Sequence, residues 1–268
     1  EWTPPPPSQP NAQYSGSFST PLVGNFNDDN GDGEIDLCDI PDIIVASVDS
    51  VDFGAGFNLA PLVPSRLFML RGSDGAVELE FPILVDGLVY GAFADIDNDG
   101  LAEVLWADTA GRLVAFENDG TLKWTSPVVG SYRGSLGAGW CTSINVYDLD
   151  ADGTPEILFG WEVYDAQGNK LFGAPTNGAE HDGNYWCVTP TAADLDGDGD
   201  LEVLFGNQTY HHDGTLYWSL GTPPQHPHVA NLDADPEPEV FLTSTNGITV
   251  VEHDGTVKFG PVRPTGEA

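Results

Sequence analysis

The stretch Asp95-Ile96-Asp97-Asn98-Asp99-Gly100-Leu101-Ala102-Glu103 decides how this sequence is read, because it returns. It comes back as Asp148-Leu149-Asp150-Ala151-Asp152-Gly153-Thr154-Pro155-Glu156, and again as Asp194-Leu195-Asp196-Gly197-Asp198-Gly199-Asp200-Leu201-Glu202. A later copy, Asn231-Leu232-Asp233-Ala234-Asp235-Pro236-Glu237-Pro238-Glu239, opens on an amide and has proline in place of the glycine. The earliest copy is longer: Asn25-Phe26-Asn27-Asp28-Asp29-Asn30-Gly31-Asp32-Gly33 runs on to Asp36, Asp39 and Asp42. A unit that recurs every few tens of residues marks a repeat architecture.

What flanks each cluster repeats too. A short run of small or apolar residues precedes it, as in Ala92-Phe93-Ala94 and Thr191-Ala192-Ala193. A β-rich run follows, as in Val104-Leu105-Trp106-Ala107 and Val203-Leu204-Phe205-Gly206. A third run then leads to a turn, at Asp74-Gly75, Asp119-Gly120, Gln167-Gly168, Asp213-Gly214 and Asp254-Gly255. Asp-Gly between apolar runs signals a hairpin, since glycine accepts the positive φ of a tight turn. A fourth run closes the unit, as in Thr121-Leu122-Lys123-Trp124. Four short strands per unit, five units and no helical period predict an all-β fold, a β-propeller of four-stranded antiparallel blades. A β-sandwich with acidic turns would not need the same four-strand unit five times. The expected boundaries are a Pro-rich arm at 1–19, blades at about 20–85, 88–130, 140–175, 186–221 and 226–262, and a tail at 263–268. Extra residues after Ser47 and between Pro127 and Cys141 read as loops on one face.

Alternate acids in D-x-D-x-D-G bring three carboxylates to one side of a tight loop, and an acid at the ninth position closes the shell. Oxygen-only ligands in that number suit Ca²⁺, whereas Mg²⁺ keeps more water and zinc wants Cys or His, which the clusters lack apart from Cys38. The alternative for each cluster is a solvated acidic turn.

These loops resemble those of the FG-GAP/VCBS repeat family, including the propeller of integrin α-subunits, from about Thr20 to Val262. The resemblance implies an extracellular or cell-surface propeller with Ca²⁺ held between the first two strands of each blade. Carried over position by position, the ligands are Asp95, Asp97, Asp99 and Glu103; Asp148, Asp150, Asp152 and Glu156; Asp194, Asp196, Asp198 and Glu202; and, in the expected weakest site, Asn231, Asp233, Asp235 and Glu239. The ninth position is Glu in four copies, where integrin loops usually have Asp. In the first copy Asn25, Asn27, Asp29 and Asp42 align with the other loops if an insertion lies between them. Independently, Asp28, Asn30, Asp32 and Asp36 make a complete D-x-N-x-D-G-x-x-D, so that a second ion could sit beside the first. This gives about four to six structural calcium ions in all. The blades form either a compact five-bladed ring or part of a larger, seven-bladed one, and the Pro-rich start and abrupt end read as a piece of a longer polypeptide.

Bulk charge agrees with cation binding. Eight Lys plus Arg stand against 42 Asp plus Glu, a formal net charge of −34, and about half of the acids fall within the clusters. Such a chain repels nucleic acid and anionic membrane surfaces, and no apolar run is long enough to insert into a bilayer. Three cysteines are too few for a disulfide scaffold. Cys141 and Cys187 sit at the same offset before their loops and are either bonded or two buried thiols. Trp124 and Trp218 read as rings packed between blades, whereas Trp140, Tyr185 and Trp186 suit a sugar-stacking platform. His211-His212 and His226-Pro227-His228 read as surface or turn residues.

Three roles follow. One is a non-catalytic adhesion or assembly module contacting protein or glycan ligands through its loops. Another is a carbohydrate-active propeller, a lectin or a polysaccharide lyase, although lyase chemistry needs a base and cationic groups that eight Lys and Arg supply poorly. The last is a self-assembling subunit of a surface layer or filament.

Overall fold

The computed structural model describes residues 14–49, 64–132, 142–174, 189–222, 225–244 and 246–263. Every regular element among them is a strand, and the strands form five separate sheets in chain order. The first holds β1 (Tyr14–Gly16), β2 (Leu22–Gly24), β3 (Asp42–Asp49), β4 (Pro64–Leu70) and β5 (Val77–Asp86). After β6 (Val89–Tyr90) comes the second sheet: β7 (Ala92–Ala94), β8 (Glu103–Ala107), β9 (Leu113–Phe116) and β10 (Leu122–Thr125). The third is β11 (Thr142–Tyr147), β12 (Glu156–Phe159), β13 (Glu162–Tyr164) and β14 (Lys170–Gly173). The fourth is β15 (Thr191–Ala193), β16 (Glu202–Leu204), β17 (Gln208–Tyr210) and β18 (Leu216–Ser219); the fifth is β19 (His226–Ala230), β20 (Glu239–Ser244), β21 (Gly247–Val251) and β22 (Val257–Val262).

Each sheet is an antiparallel meander, the all-β blade expected from the repeat. Two sheets depart from four strands. In the first, β1 pairs with the far end of β3, Gly16 against Val48, while β2 pairs with its near end, Leu22 against Ile44. In the third, β6 joins in parallel, Val89 against Thr142, so two residues placed by sequence in the second blade belong by hydrogen bonding to the third. Short apolar segments at a blade's edge carry no information about which neighbour they will pair with. Cys141, Cys187, Trp140, Tyr185 and Trp186 lie outside the described residues.

Burial grades across a blade. β8 and β9 are buried along their whole length because both faces are covered by neighbouring blades, whereas β10 is half exposed. The core runs through the interfaces, from Phe26, Leu67 and Phe81 of the first blade past Trp106 and Phe116 to Phe159 and Tyr164 of the third. Trp106 is fully buried and its Nε1 donates to the Asp86 carbonyl at 2.9 Å, which satisfies the indole where no water can reach.

One joint is used four times between consecutive blades. The fourth strand presents a large apolar side chain that lies over the turn glycine of the next blade: Leu79 over Gly120, Trp124 over Gly168, Phe172 over Gly214 and Trp218 over Gly255. A Cβ on any of those glycines would come within 2.3–2.7 Å of the ring or side chain above it. Each glycine also has a φ of 78–83°, so it is required twice over. Trp124 and Trp218 add indole hydrogen bonds to the Ala166 and His253 carbonyls, at 3.0 and 2.8 Å. The rings read as blade packing do pack so. Phe259, in the same place on the last blade, is 51% exposed.

Candidate metal centres

Every acidic cluster sits between the first and second strands of its blade, and the ninth-position acid is the first residue of the second strand. This placement follows from two local features. The residue at the second position is apolar and plunges into the core, as Phe26, Ile96, Leu149 and Leu195 do. Its backbone N–H then donates to the ninth-position carboxylate: Ile96 to Glu103 Oε2 at 2.9 Å, Leu149 to Glu156 at 2.9 Å, Leu195 to Glu202 at 2.8 Å and Leu232 to Glu239 at 2.6 Å. The loop is thus cinched at its base by one charge-assisted bond. Leu232 is the exception in burial, being exposed, so the fifth loop lacks that anchor.

Above the base, the first carboxylate organises the turn. Asp95 accepts from the Asp99 and Gly100 amides at 3.2 and 2.9 Å, and Asp148 from the Asp152 and Gly153 amides at 3.1 and 3.0 Å. Positive φ at the fourth and sixth positions makes this geometry possible: 62° at Asn98 and 92° at Gly100, 55° at Ala151 and 88° at Gly153, 77° at Gly197 and 100° at Gly199. Adjacent loops touch, with Asn98 Nδ2 donating to the Gly153 carbonyl at 2.8 Å.

The loops bring together much of what the sequence predicted. Asp95, Asp97 and Asp99 each offer an oxygen within 4.8 Å of the others; so do Asp194, Asp196 and Asp198, then Asp148, Asp150 and Glu156, then Asp233, Asp235, Glu239 and Glu252. Asp152 and Glu103 do not share in the groupings of their own loops. Asp152 Oδ1 accepts from the Thr154 amide at 2.7 Å, as Asp99 Oδ1 does from the Leu101 amide at 2.8 Å. Asn231 is turned to the loop's own Asp235 carbonyl at 2.8 Å.

The first loop supplies the test of fit for a cation. Asp42 is fully buried, and its carboxylate closes no well-formed hydrogen bond, although the Phe26 amide and the Arg71 guanidinium act on it; the side-chain oxygens of Asn25 and Asn27 are buried and unpartnered as well. Buried acceptors are ordinarily satisfied, and four such oxygens in one loop, with only the Phe26 amide directed at them, fit a hard cation. Burial, with Glu78 and Asp29 close by, pushes the Asp42 carboxyl up to about 6. The second reading of this loop, Asp28 to Asp36, copies the standard turn closely. Asp28 accepts from the Asp32 and Gly33 amides at 3.2 and 2.8 Å, Asn30 from the Asp32 amide at 2.8 Å, and Gly31 and Gly33 have φ of 76° and 92°. Its acids are exposed, and Asp36 is engaged by the Cys38 amide at 2.6 Å. Asp39, buried beside it, caps the Asp29, Asn30 and Asp36 amides.

Sequence reasoning missed the groups that face these acids from the same blade. In the second blade Lys123 Nζ lies 2.5 Å from Asp97, 3.1 Å from Glu103 and 3.1 Å from Glu117. In the fifth, Lys258 reaches Asp233, Glu239 at 2.8 Å and Glu252 at 3.0 Å. In the fourth, His211 Nδ1 is 3.1 Å from Glu202, so this histidine serves the loop rather than the surface. Burial pulls the Lys123 ammonium down, but Asp97, Glu103 and Glu117 outweigh it and hold it charged. Asp233 is lowered to about 2, first by its Lys258 hydrogen bond. Burial raises Glu103, Glu156 and Glu202 above the usual carboxylate range. The signal available beforehand was the recurrence of lysine in Thr121-Leu122-Lys123-Trp124 and Thr256-Val257-Lys258-Phe259.

No curated protein matches this sequence. Among solved structures, the V. cholerae biofilm matrix protein Bap1 is similar at 28% identity and a TM-score of 0.73, over 92% of this chain and 40% of that one. A Bacillus licheniformis rhamnogalacturonan lyase is similar at 21% identity and a TM-score of 0.60, over 91% of this chain and 50% of the other; the lyase YesW follows at 17% and 0.58. This chain therefore spans half or less of the length of those proteins. Residues 95–159, which hold two of the loops and the strands between them, match the model of the FG-GAP-like repeat. That FG-GAP-like repeat lies within a set of five like blades, in a chain similar in fold to Bap1.

Proposed function

We propose that this chain is a calcium-stabilised propeller module of an extracellular protein, acting through adhesion or assembly and not through catalysis. The observation that carries the calcium part is the group of buried oxygens on Asn25, Asn27 and Asp42 that close no well-formed hydrogen bond. Calcium would be held there by those residues with Asp29, and in the other blades by the D-x-D-x-D-G acids and the ninth-position Glu. It supplies charge neutralisation and a fixed centre for the blade's first turn. Extracellular fluid holds calcium at the concentrations such sites need.

The adhesive role rests on likeness to a biofilm matrix protein along 92% of this chain. The lyase reading is supported by the fold alone. Against it stands the disposition of the cations: Arg66, Arg71, Arg112, Lys123, Lys170 and Lys258 each form an ion pair with an acid of this chain. A uronate substrate held by any of these six would have to displace its pair. Calcium-dependent retention on a glycan array or on extracted matrix polymer, with no rise in absorbance from polyuronate, is the expected outcome. Release of unsaturated products from polyuronate would overturn the non-catalytic reading.

A further inference from the structure

The five loops share a backbone but not a charge environment. The difference is set by one register of the fourth strand, two residues after the turn threonine or its equivalent. Lys123 occupies it in the second blade, Tyr217 in the fourth and Lys258 in the fifth. In the third blade the pairing is the same, Tyr164 against Lys170 as Phe116 faces Leu122, and Leu171 stands in that place, 52% exposed. In the first blade the place belongs to Glu78, whose Oε2 accepts from Asn27 Nδ2 at 2.9 Å and whose Oε1 is paired with Arg71 Nε at 2.7 Å.

An ammonium here binds the third and ninth acids of its loop together: Asp97 and Glu103 for Lys123, Asp233 and Glu239 for Lys258. Those are two of the oxygens a loop cation needs, and a fixed positive charge beside them repels a second one. Among the described residues no ion pair reaches the Asp148, Asp150 and Glu156 group, and Lys170 is paired elsewhere, with Glu162 at 2.6 Å. In the first blade the extra group is an acid, Glu78, which pairs with the nearby Arg71 and leaves the buried oxygens without a well-formed bond to any cation.

We propose that Lys123 and Lys258 stand in for part of the metal ion in their blades, so that this register grades calcium dependence: tight in the first and third loops, weak in the second and fifth. The inference rests on the calcium reading above and assigns it a determinant within this chain. Imidazole at Glu202 places the fourth loop between the two classes.

The test is calcium uptake by the calcium-stripped full chain, measured by equilibrium dialysis with metal analysis, alongside the variants Lys123→Met/Lys258→Met and Leu171→Lys. The double lysine variant is expected to shift the weak class of ions about tenfold towards tighter binding, since ligand charge sets loop affinity. Leu171→Lys is expected to weaken one tight ion by a similar factor. Wild-type uptake with unchanged classes in both variants would overturn the inference while leaving the calcium reading intact; no uptake by wild type would overturn both. If the double variant does not fold, as read by circular dichroism, Leu171→Lys decides alone.

Discussion

The loops of the second and third blades are the same turn with different electrostatics. Both have left-handed residues at the fourth and sixth positions, both have an apolar second residue buried in the core, and in both that residue's amide reaches the ninth-position Glu at 2.9 Å. Over one of them stands Lys123; over the other stands an exposed leucine. The difference teaches that the turn is built by backbone geometry and core anchoring, while the repulsion among converged carboxylates is a separate problem, which the proposed cation would solve. A lysine solves it from within the chain, and on the proposed reading an ion solves it from without.

The largest effect that would sharpen this comparison is calcium removal. A site at a hundredfold its Kd contributes about 2.7 kcal/mol, so emptying even two tight loops should lower Tm by roughly 10 °C or more in a chain of this size. Scanning calorimetry checks it. Hydrogen exchange should then show Leu149 and Ile157 losing protection before Ile96 and Val104; equal loss in the two blades would break the comparison.

Next comes Lys123→Met in the calcium-free protein. It leaves Glu103 buried without its partner and should cost about 3–4 kcal/mol, as broken buried pairs do, but well under half of that in saturating calcium. Denaturant unfolding at both calcium levels measures the difference. An equal cost in both conditions would mean that the lysine and the ion do not substitute for one another.

Asp42 gives a pH test of the first loop. Its carboxyl is raised to about 6 from an ordinary 3.8, so the folded state holds the proton more tightly than the unfolded one. Its contribution is favourable below the ordinary value and is lost as pH rises through about 6. Across that window the calcium-free protein should lose up to about 3 kcal/mol. Asp42→Asn should flatten this slope, and calcium should reverse it. Stability that rises monotonically from pH 4 to 6.5 without calcium would count against the burial of an unpaired carboxylate.

The smallest effect serves as a control. Gly168→Ala drives a methyl to within 2.6 Å of the Trp124 ring and should cost about 2 kcal/mol. The cost should be equal with and without calcium, because the added methyl meets the Trp124 ring and no loop acid. Dependence on calcium would show that blade packing and loop occupancy are not separable.

The fold was legible because its signals are local and repeated. The turn glycines, the alternating acids and the apolar residue at each loop's second position act within a few residues, and five copies make the pattern unmistakable. The pairing of β6 with the third blade was not legible, since two residues of strand have no register of their own.

The sequence by itself determined the blade repeat, the hairpins and which carboxylates gather at each loop, because backbone turns and side-chain alternation depend only on near neighbours. Tertiary structure alone decided which of those carboxylates meet a lysine, a histidine or nothing. The partners come from the fourth strand, some twenty residues away in blades two and five, and only the hairpin pairing, the same in blades two and three, carries Lys123 in one and Leu171 in the other to the place that matters.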